Sequence, residues 1–207
     1  MQAATRFVVL TTQRNGSTWL MSVLNSLDGV SGQGELFLPR PRTPERRWDS
    51  DFAHPRYVES AARFGTRRPR SVFRYLDDLY SAPHSVGFSL MYSQLRSFPE
   101  ILVFLMRDRI PVIHLVRRNH LDVLISFAVK GRIGQAHILS PAERPREISV
   151  ELDTASLLKD LERLQHKHDV GRRVLRVCRL RHIEVGYEDL VADPADFRRV
   201  FSSWGSP

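Results

Sequence analysis

Apolar and polar positions alternate in blocks along this chain, and the period of the blocks switches between about two and about four. RFVVLTT (6–12) is a short β-branched run suited to a buried strand. Trp19, Leu20, Val23, Leu24 and Leu27 then recur at helical spacing, which predicts a helix over 17–27. The segment DGVSGQGELFLPRPRTPERR is rich in Gly, Pro and charge and reads as a loop. Short helices are expected at 56–64 and 72–80, and a second strand in SVGFSLM (85–91). FPEILVFLMRDR (98–109) has apolar residues at 98, 101, 102 and 105 and a Pro near its start, a helical pattern. PVIHLV (111–116) is a third strand, and HLDVLISFAVKGR (120–132) a helix with Leu121, Leu124, Ile125 and Ala128 on one face. A polar, Pro-containing connection occupies about 133–150, and ELDTASLLKDLERLQHKHDV (151–170) is the longest helix signal. VLRVCRLRHIEVGY (174–187) holds strand material, followed by an Asp-Pro turn at 193–194 and a last helix near 195–204.

Strands thus alternate with helices. The pattern predicts an α/β fold, a P-loop-like parallel β-sheet flanked by helices on both faces, with 1–207 as a single domain. Hydrophobic residues make up 42% of the chain, enough for a globular core. The net charge of +8 favours an anionic partner: nucleic acid, a membrane surface or a small polyanion. No aromatic–basic surface motif supports nucleic acid, so none is expected. The single cysteine, Cys178, excludes an internal disulfide and a zinc knuckle and reads as a buried, inert thiol. No apolar stretch approaches the length of a membrane span, and Met1–Arg6 leads straight into the first strand without a signal peptide. A cytoplasmic location is the expectation.

The first strand ends in QRNGST and the first helix follows. The first-turn N–H groups of a helix lack helical partners and carry the positive end of its dipole, so such a junction holds anions. Gly16 allows a sharp turn and close approach to a ligand, Ser17 and Thr18 can donate hydroxyl bonds, and Arg14 brings a permanent charge. The same hydroxyls could instead cap the helix. A Walker A loop requires G-x-x-x-x-G-K-[ST], and here the first Gly and the Lys are both missing. VIHLVRRNHLDVLISFAVK (112–130) repeats the design, with Arg117 and Arg118 at the strand end and Ser126 on the following helix. Two such patches at strand ends suggest a ligand with two anionic groups.

These two motifs resemble the sulfotransferase family that uses 3′-phosphoadenosine 5′-phosphosulfate (PAPS). TTQRNGSTWL (11–20) resembles the family's loop for the 5′-phosphosulfate, and RNHLDVLIS (118–126) its motif for the 3′-phosphate, with Arg118, Asp122 and Ser126 at matching positions. YEDL at 187–190 is a further similar phrase. The resemblance runs from about residue 6 to 204. Within the family, TTQRNGST, GVSGQGELF (29–37) and VGFSLMYSQL (86–95) look closest to the bacterial carbohydrate sulfotransferases, trehalose 2-sulfotransferase among them.

The resemblance implies the sulfotransferase fold and sulfuryl transfer from PAPS to a hydroxyl of a carbohydrate, glycolipid or other small acceptor, without a metal. Arg14 would neutralise charge on the bridging oxygen. Asn15, Gly16, Ser17, Thr18 and Trp19 would line the 5′ side, and Arg118 with Ser126 would hold the 3′-phosphate. Glu35 is the candidate general base. His54 and His84 are alternatives for that role, whereas His114, in mid-strand, reads as a core or sheet-face residue. The residues alone give Trp19 as core, Asp122 as fixing the second turn, Arg117 as paired with a carboxylate, and Glu188 and Asp189 as loop anchors. Ser89 stands where relatives often have Lys, and the family usually continues past FSSWGSP into a basic segment that closes over the nucleotide. Two other readings stay open: a non-catalytic nucleotide-binding protein of the same fold, and an atypical P-loop kinase. A homodimer is also left open.

Overall fold

The computed structural model describes residues 4–37, 68–133, 149–193 and 195. Five strands form one sheet: β1 (Arg6–Thr11), β2 (Val30–Glu35), β3 (Ser85–Met91), β4 (Val112–Val116) and β5 (His182–Gly186). Their order is β2-β3-β1-β4-β5, and every pairing is parallel. The helices are α1 (Ser17–Asn25), α2 (Arg68–Leu79), α3 (Tyr92–Ser97), α4 (Glu100–Arg107), α5 (His120–Ile133), α6 (Thr154–Val177) and α7 (Tyr187–Ala192).

The side chains of β1 alternate between two cores, as a central strand requires. Val8 and Leu10 join Val86, Phe88 and Leu90 of β3, with Leu76 of α2, Phe104 of α4 and Leu175 of α6. Phe7 and Val9 join Ile113 and Leu115 of β4, with Leu20, Met21 and Leu24 of α1. All carboxyl ends of the strands therefore meet at one edge. The chain leaves β1 towards β2 and later crosses back to β4, so β1 and β4 flank the point where the winding reverses. Ligands of open α/β sheets collect at such a point.

Two stretches fold differently from their pattern. Residues 30–35 lie in the segment read as a loop, yet they form edge strand β2. VSGQGE offers no apolar alternation, and its side chains are half-exposed or exposed. Backbone pairing with β3 holds it, and that leaves no mark on side-chain periodicity. The second is the run read as strand from residue 174, whose first part extends α6 to Val177. Leu164, His168, Gly171 and Leu175 are buried at spacings of four, three and four, so the buried stripe of the helix continues through the β-branched stretch. Among the described residues, no helix is long and apolar enough to cross a membrane. The expected helix at 56–64, and that at 195–204 beyond residue 195, fall outside the described residues.

At the sheet centre the register sets Phe7 beside Gly87, and a Cβ on Gly87 would come within 2.3 Å of the Phe7 ring. Phe7 is fully buried, so its ring has nowhere to go. Gly87→Ala is expected to destabilise the protein by about 1–3 kcal/mol, the usual cost of overpacking. Chemical denaturation of both proteins checks this; an unchanged midpoint would mean the core gives way freely at β1–β3.

Candidate functional site

The turn after β1 is built on left-handed backbone. Arg14 has φ 66° and Gly16 φ 86°. A non-glycine residue in that region costs roughly 1–2 kcal/mol, so Arg14 is held there by its surroundings. Gly16, not Ser17 or Thr18, is the N-cap of α1, and it makes no side-chain capping bond. Ser17 and Thr18 are the first two helical residues, the former half-buried and the latter exposed. A Cβ on Gly16 would lie 2.2 Å from the Tyr187 ring. Trp19, half-buried and packed against the core on the α1 side, meets that ring edge-on with centroids 6.2 Å apart.

The turn after β4 reaches the same place. Arg117 donates to the Arg14 carbonyl at 3.4 Å and to Asp122 at 3.1 Å, and its guanidinium lies 4.8 Å from the centre of the Tyr187 ring. Arg14 Nε donates to Ser126 Oγ at 2.7 Å. Burial, and then the neighbouring Arg117 charge, lower the pKa of Arg14. Two guanidinium groups crowded beside a helix N-terminus favour an anion between them.

Arg118 points elsewhere. Its side chain is exposed and pairs with Asp189, with Glu188 at 3.7 Å. Glu188 also accepts the Arg118 amide at 3.2 Å and the Asn119 amide at 3.0 Å. Burial raises the Glu188 pKa, but these amides and Arg118 outweigh it and hold the carboxyl below its ordinary value. The structure thus brings Ser126 to Arg14 and leaves Arg118 with the carboxylates of α7.

Asn15 is fully buried and anchors the first turn from below. Its amide nitrogen donates to the Leu115 carbonyl at 3.4 Å and faces His168 Nε2 at 3.2 Å, while its Oδ1 has no partner among the described residues. With Asn15 as donor, His168 Nε2 accepts, so its Nδ1 carries the proton and donates to His120 Nε2 at 3.3 Å. Burial holds His168 down to about 4. A second chain, buried at His114 and open to solvent at Glu184, lies beside it. His114 Nδ1 faces Glu184 at 2.9 Å, Arg172 binds both oxygens of Glu184 at 2.8 Å, and the Tyr92 hydroxyl donates to His114 Nε2. A Cβ on Gly171 would press on both Tyr92 and His114, which is why α6 carries no side chain there.

Glu35 ends β2 at the same edge of the sheet, two strands from the Arg14 turn. Gln94 Nε2 donates to its Oε2 at 2.8 Å. Burial raises the Glu35 pKa, while the Gln94 bond and the Lys130 charge oppose that rise. His84 precedes β3 and so sits at the opposite edge; His54 lies outside the described residues. Sequence reasoning missed Gln94, His168 and Tyr187 as parts of this edge. His168 carried a signal in the helical stripe of α6 and Tyr187 in the YEDL phrase, but neither signal placed the residue beside these turns. Among the described residues no group of three or more His, Cys, Asp or Glu stands where it could hold a metal ion.

No family model matches this chain, and no curated protein matches it. Among solved structures, the sulfotransferase domain from the Synechococcus PCC 7002 olefin synthase is similar over 99% of this chain and 74% of that one, at 19% identity and a TM-score of 0.47. A likeness at that level bears on neither activity nor substrate.

The neutral His168 makes stability depend on pH. An unfolded His takes up its proton near 6.5, whereas the folded one resists until about 4. The unfolded state therefore binds more protons between those values, and stability falls as pH drops from about 6.5 towards 4, then levels off. His114 and His120, also lowered by burial, act in the same direction. His168→Gln should make the decline shallower in denaturation series across this range. Equal slopes for both proteins would show that His168 titrates normally in the fold.

Proposed function

We propose that this protein transfers a sulfuryl group from PAPS to a hydroxyl of a carbohydrate, glycolipid or other small acceptor. The observation that carries the reading is the joined pair of strand-end turns. Arg14 and Gly16 in left-handed backbone, an α1 start without a side-chain cap, and Ser126 bonded to Arg14 make one anion cradle. The cradle has no Walker lysine, which suits a donor whose charge the protein itself must neutralise. The residue matches at 11–20 and 118–126 point the same way.

The residues fit such a donor. Gly16 puts no capping side chain over the first turn of α1, and Ser17 and Thr18 carry hydroxyls there. Trp19, with Tyr187 beside it, offers ring surface next to the loop. Arg118 would meet the 3′-phosphate by exchanging its carboxylate partners Asp189 and Glu188 for phosphate oxygens. PAPS, when bound, supplies the sulfuryl group and a phosphate leaving group. Glu35 takes the proton from the acceptor hydroxyl; its raised pKa makes it a better base. Arg14 stabilises the negative charge that grows as the old bond breaks. Partial burial strengthens that interaction, since water no longer screens it fully. The proposed partner is a small-molecule or glycan acceptor, and no resident metal enters.

Calorimetric titration with 3′,5′-adenosine bisphosphate, with ATP and AMP as controls, tests the reading. Selective binding is expected, weakened about tenfold or more in Arg118→Ala, the loss of one charge-assisted contact. With PAPS and an acceptor panel, Arg14→Ala should lower turnover by about 10²–10³-fold. Glu35→Gln should lower it by about 10²–10⁴-fold while sparing nucleotide binding. A fully active Glu35→Gln protein would remove Glu35 as the base. Magnesium-dependent ATP turnover would identify a kinase instead, and nucleotide binding without any transfer a non-catalytic binder.

A further inference from the structure

Glu35 does not stand where an undisturbed strand would put it. Gln33 pairs with Phe88, but Glu35 pairs with Ser89, so Gly34 is an extra residue in β2. In a regular strand residues 33 and 35 share a face. Here Glu35 takes the face of the residue after Gln33's partner, which is the opposite one. A bulge of this kind re-aims a side chain, and what it is aimed at is Gln94.

Gln94 is itself buried, and both ends of its amide are committed. Its Oε1 accepts the Met91 amide at 3.0 Å, closing the start of α3, and its Nε2 donates to Glu35 Oε2 at 2.8 Å. Because Oε1 is taken by a backbone donor, the amide cannot flip, and only the NH₂ end can face the carboxylate. The helix that carries Gln94 is anchored in turn. Its first residue, Tyr92, donates to buried His114, which bonds Glu184, itself bound by Arg172. The charge of Lys130 on α5 also opposes the rise in the Glu35 pKa.

We infer that Gln94 is the positioning residue for Glu35: it fixes the orientation of the carboxylate and holds it in its charged, proton-accepting form. This rests on the reading of Glu35 as the base, and deepens it. A buried carboxylate without this donor would hold its proton to higher pH and turn freely about its last bond. Gln94→Glu keeps the acceptor for Met91 but replaces the donor with an anion. Gln94→Met keeps the length and removes both.

The test follows the Glu35 carboxyl by carbon-13 NMR in wild type, Gln94→Met and Gln94→Glu, with the pH dependence of turnover measured in parallel. The Glu35 titration should move up by about one pH unit in Gln94→Met and further in Gln94→Glu, with the acid limb of kcat moving equally. The KM for donor should stay within about twofold of wild type, since Gln94 bonds Met91 and Glu35 and not the residues of the Arg14 turn. Melting curves identify any variant that fails to fold, and Gln94→Glu, which keeps the Met91 bond, remains informative if Gln94→Met does not. An unshifted Glu35 titration in Gln94→Glu would reduce Gln94 to a helix cap and overturn the inference. A shifted titration in a protein that transfers no sulfuryl group would uphold the pairing and refute the proposed reaction, so the two failures are distinguishable.

Discussion

The ring of Tyr187 fills the space that a side chain at position 16 would need, 2.2 Å from where its Cβ would sit. That contact joins the first turn of the sheet to the last. It requires glycine twice over, for the close approach and for a φ of 86° that other residues adopt at a cost. The same ring lies under the Arg117 guanidinium and against Trp19, so one aromatic side chain sets the distance between the turns after β1, β4 and β5. Arg14, in left-handed backbone without glycine's freedom, is held by the Arg117 bond to its carbonyl and by its own bond to Ser126. The strain at Arg14 is thus offset by the contacts that also aim it.

Charge along this edge is sorted rather than spread. Arg117 has Asp122, Arg118 has Asp189 and Glu188, and Arg172 has Glu184. The exposed pairs among these contribute little to stability, and their main effect is to decide where positive potential remains. At the Arg14 turn, burial and the neighbouring Arg117 charge lower the pKa of Arg14. Beneath the turn the structure uses neutral groups. Asn15, His168 and His120 form a chain in which each nitrogen has one role, donor or acceptor. A Lys in place of His168 would bury a charge within the field of Arg172, and an apolar residue would leave Asn15 without its acceptor.

Much of this architecture is legible in the chain. β1, β3 and β4 announce themselves as apolar runs because they are central and buried on both faces. β2 does not, because an edge strand of Ser, Gly and Gln is held by its backbone. The end of α6 misleads because local β-branched residues outvote a stripe whose members include a glycine and a histidine. Site residues follow the same division. Arg14, Gly16 and Ser126 belong to contiguous motifs, and the structure brings them to one turn. Spacing marked Ser126 and Arg118 as joint ligands of one phosphate, but it carried no sign of the bond from Arg14 to Ser126 that the left-handed turn at Arg14 makes. Gln94 is silent in sequence, since a buried amide is defined by its partners and these are 3 and 59 residues away.

Helix α5 resolves how two separated parts of the edge act together. Arg14 belongs to central β1 and Glu35 to edge strand β2, with β3 between them. Ser126 and Lys130 are four residues apart and so share one helical face. Ser126 bonds Arg14, and the charge of Lys130 is felt at Glu35. One face of one helix therefore carries both the hydroxyl bonded to Arg14 and the charge that opposes the rise in the Glu35 pKa. In the proposed reaction Arg14 and Glu35 are where negative charge develops and where a proton is taken up, and both need fixed dipoles rather than mobile water. The bulge at Gly34 and the locked amide of Gln94 serve Glu35, and the left-handed turn under Tyr187 serves Arg14. Each device spends local regularity to aim a single side chain, and α5 ties the two aims to one rigid element.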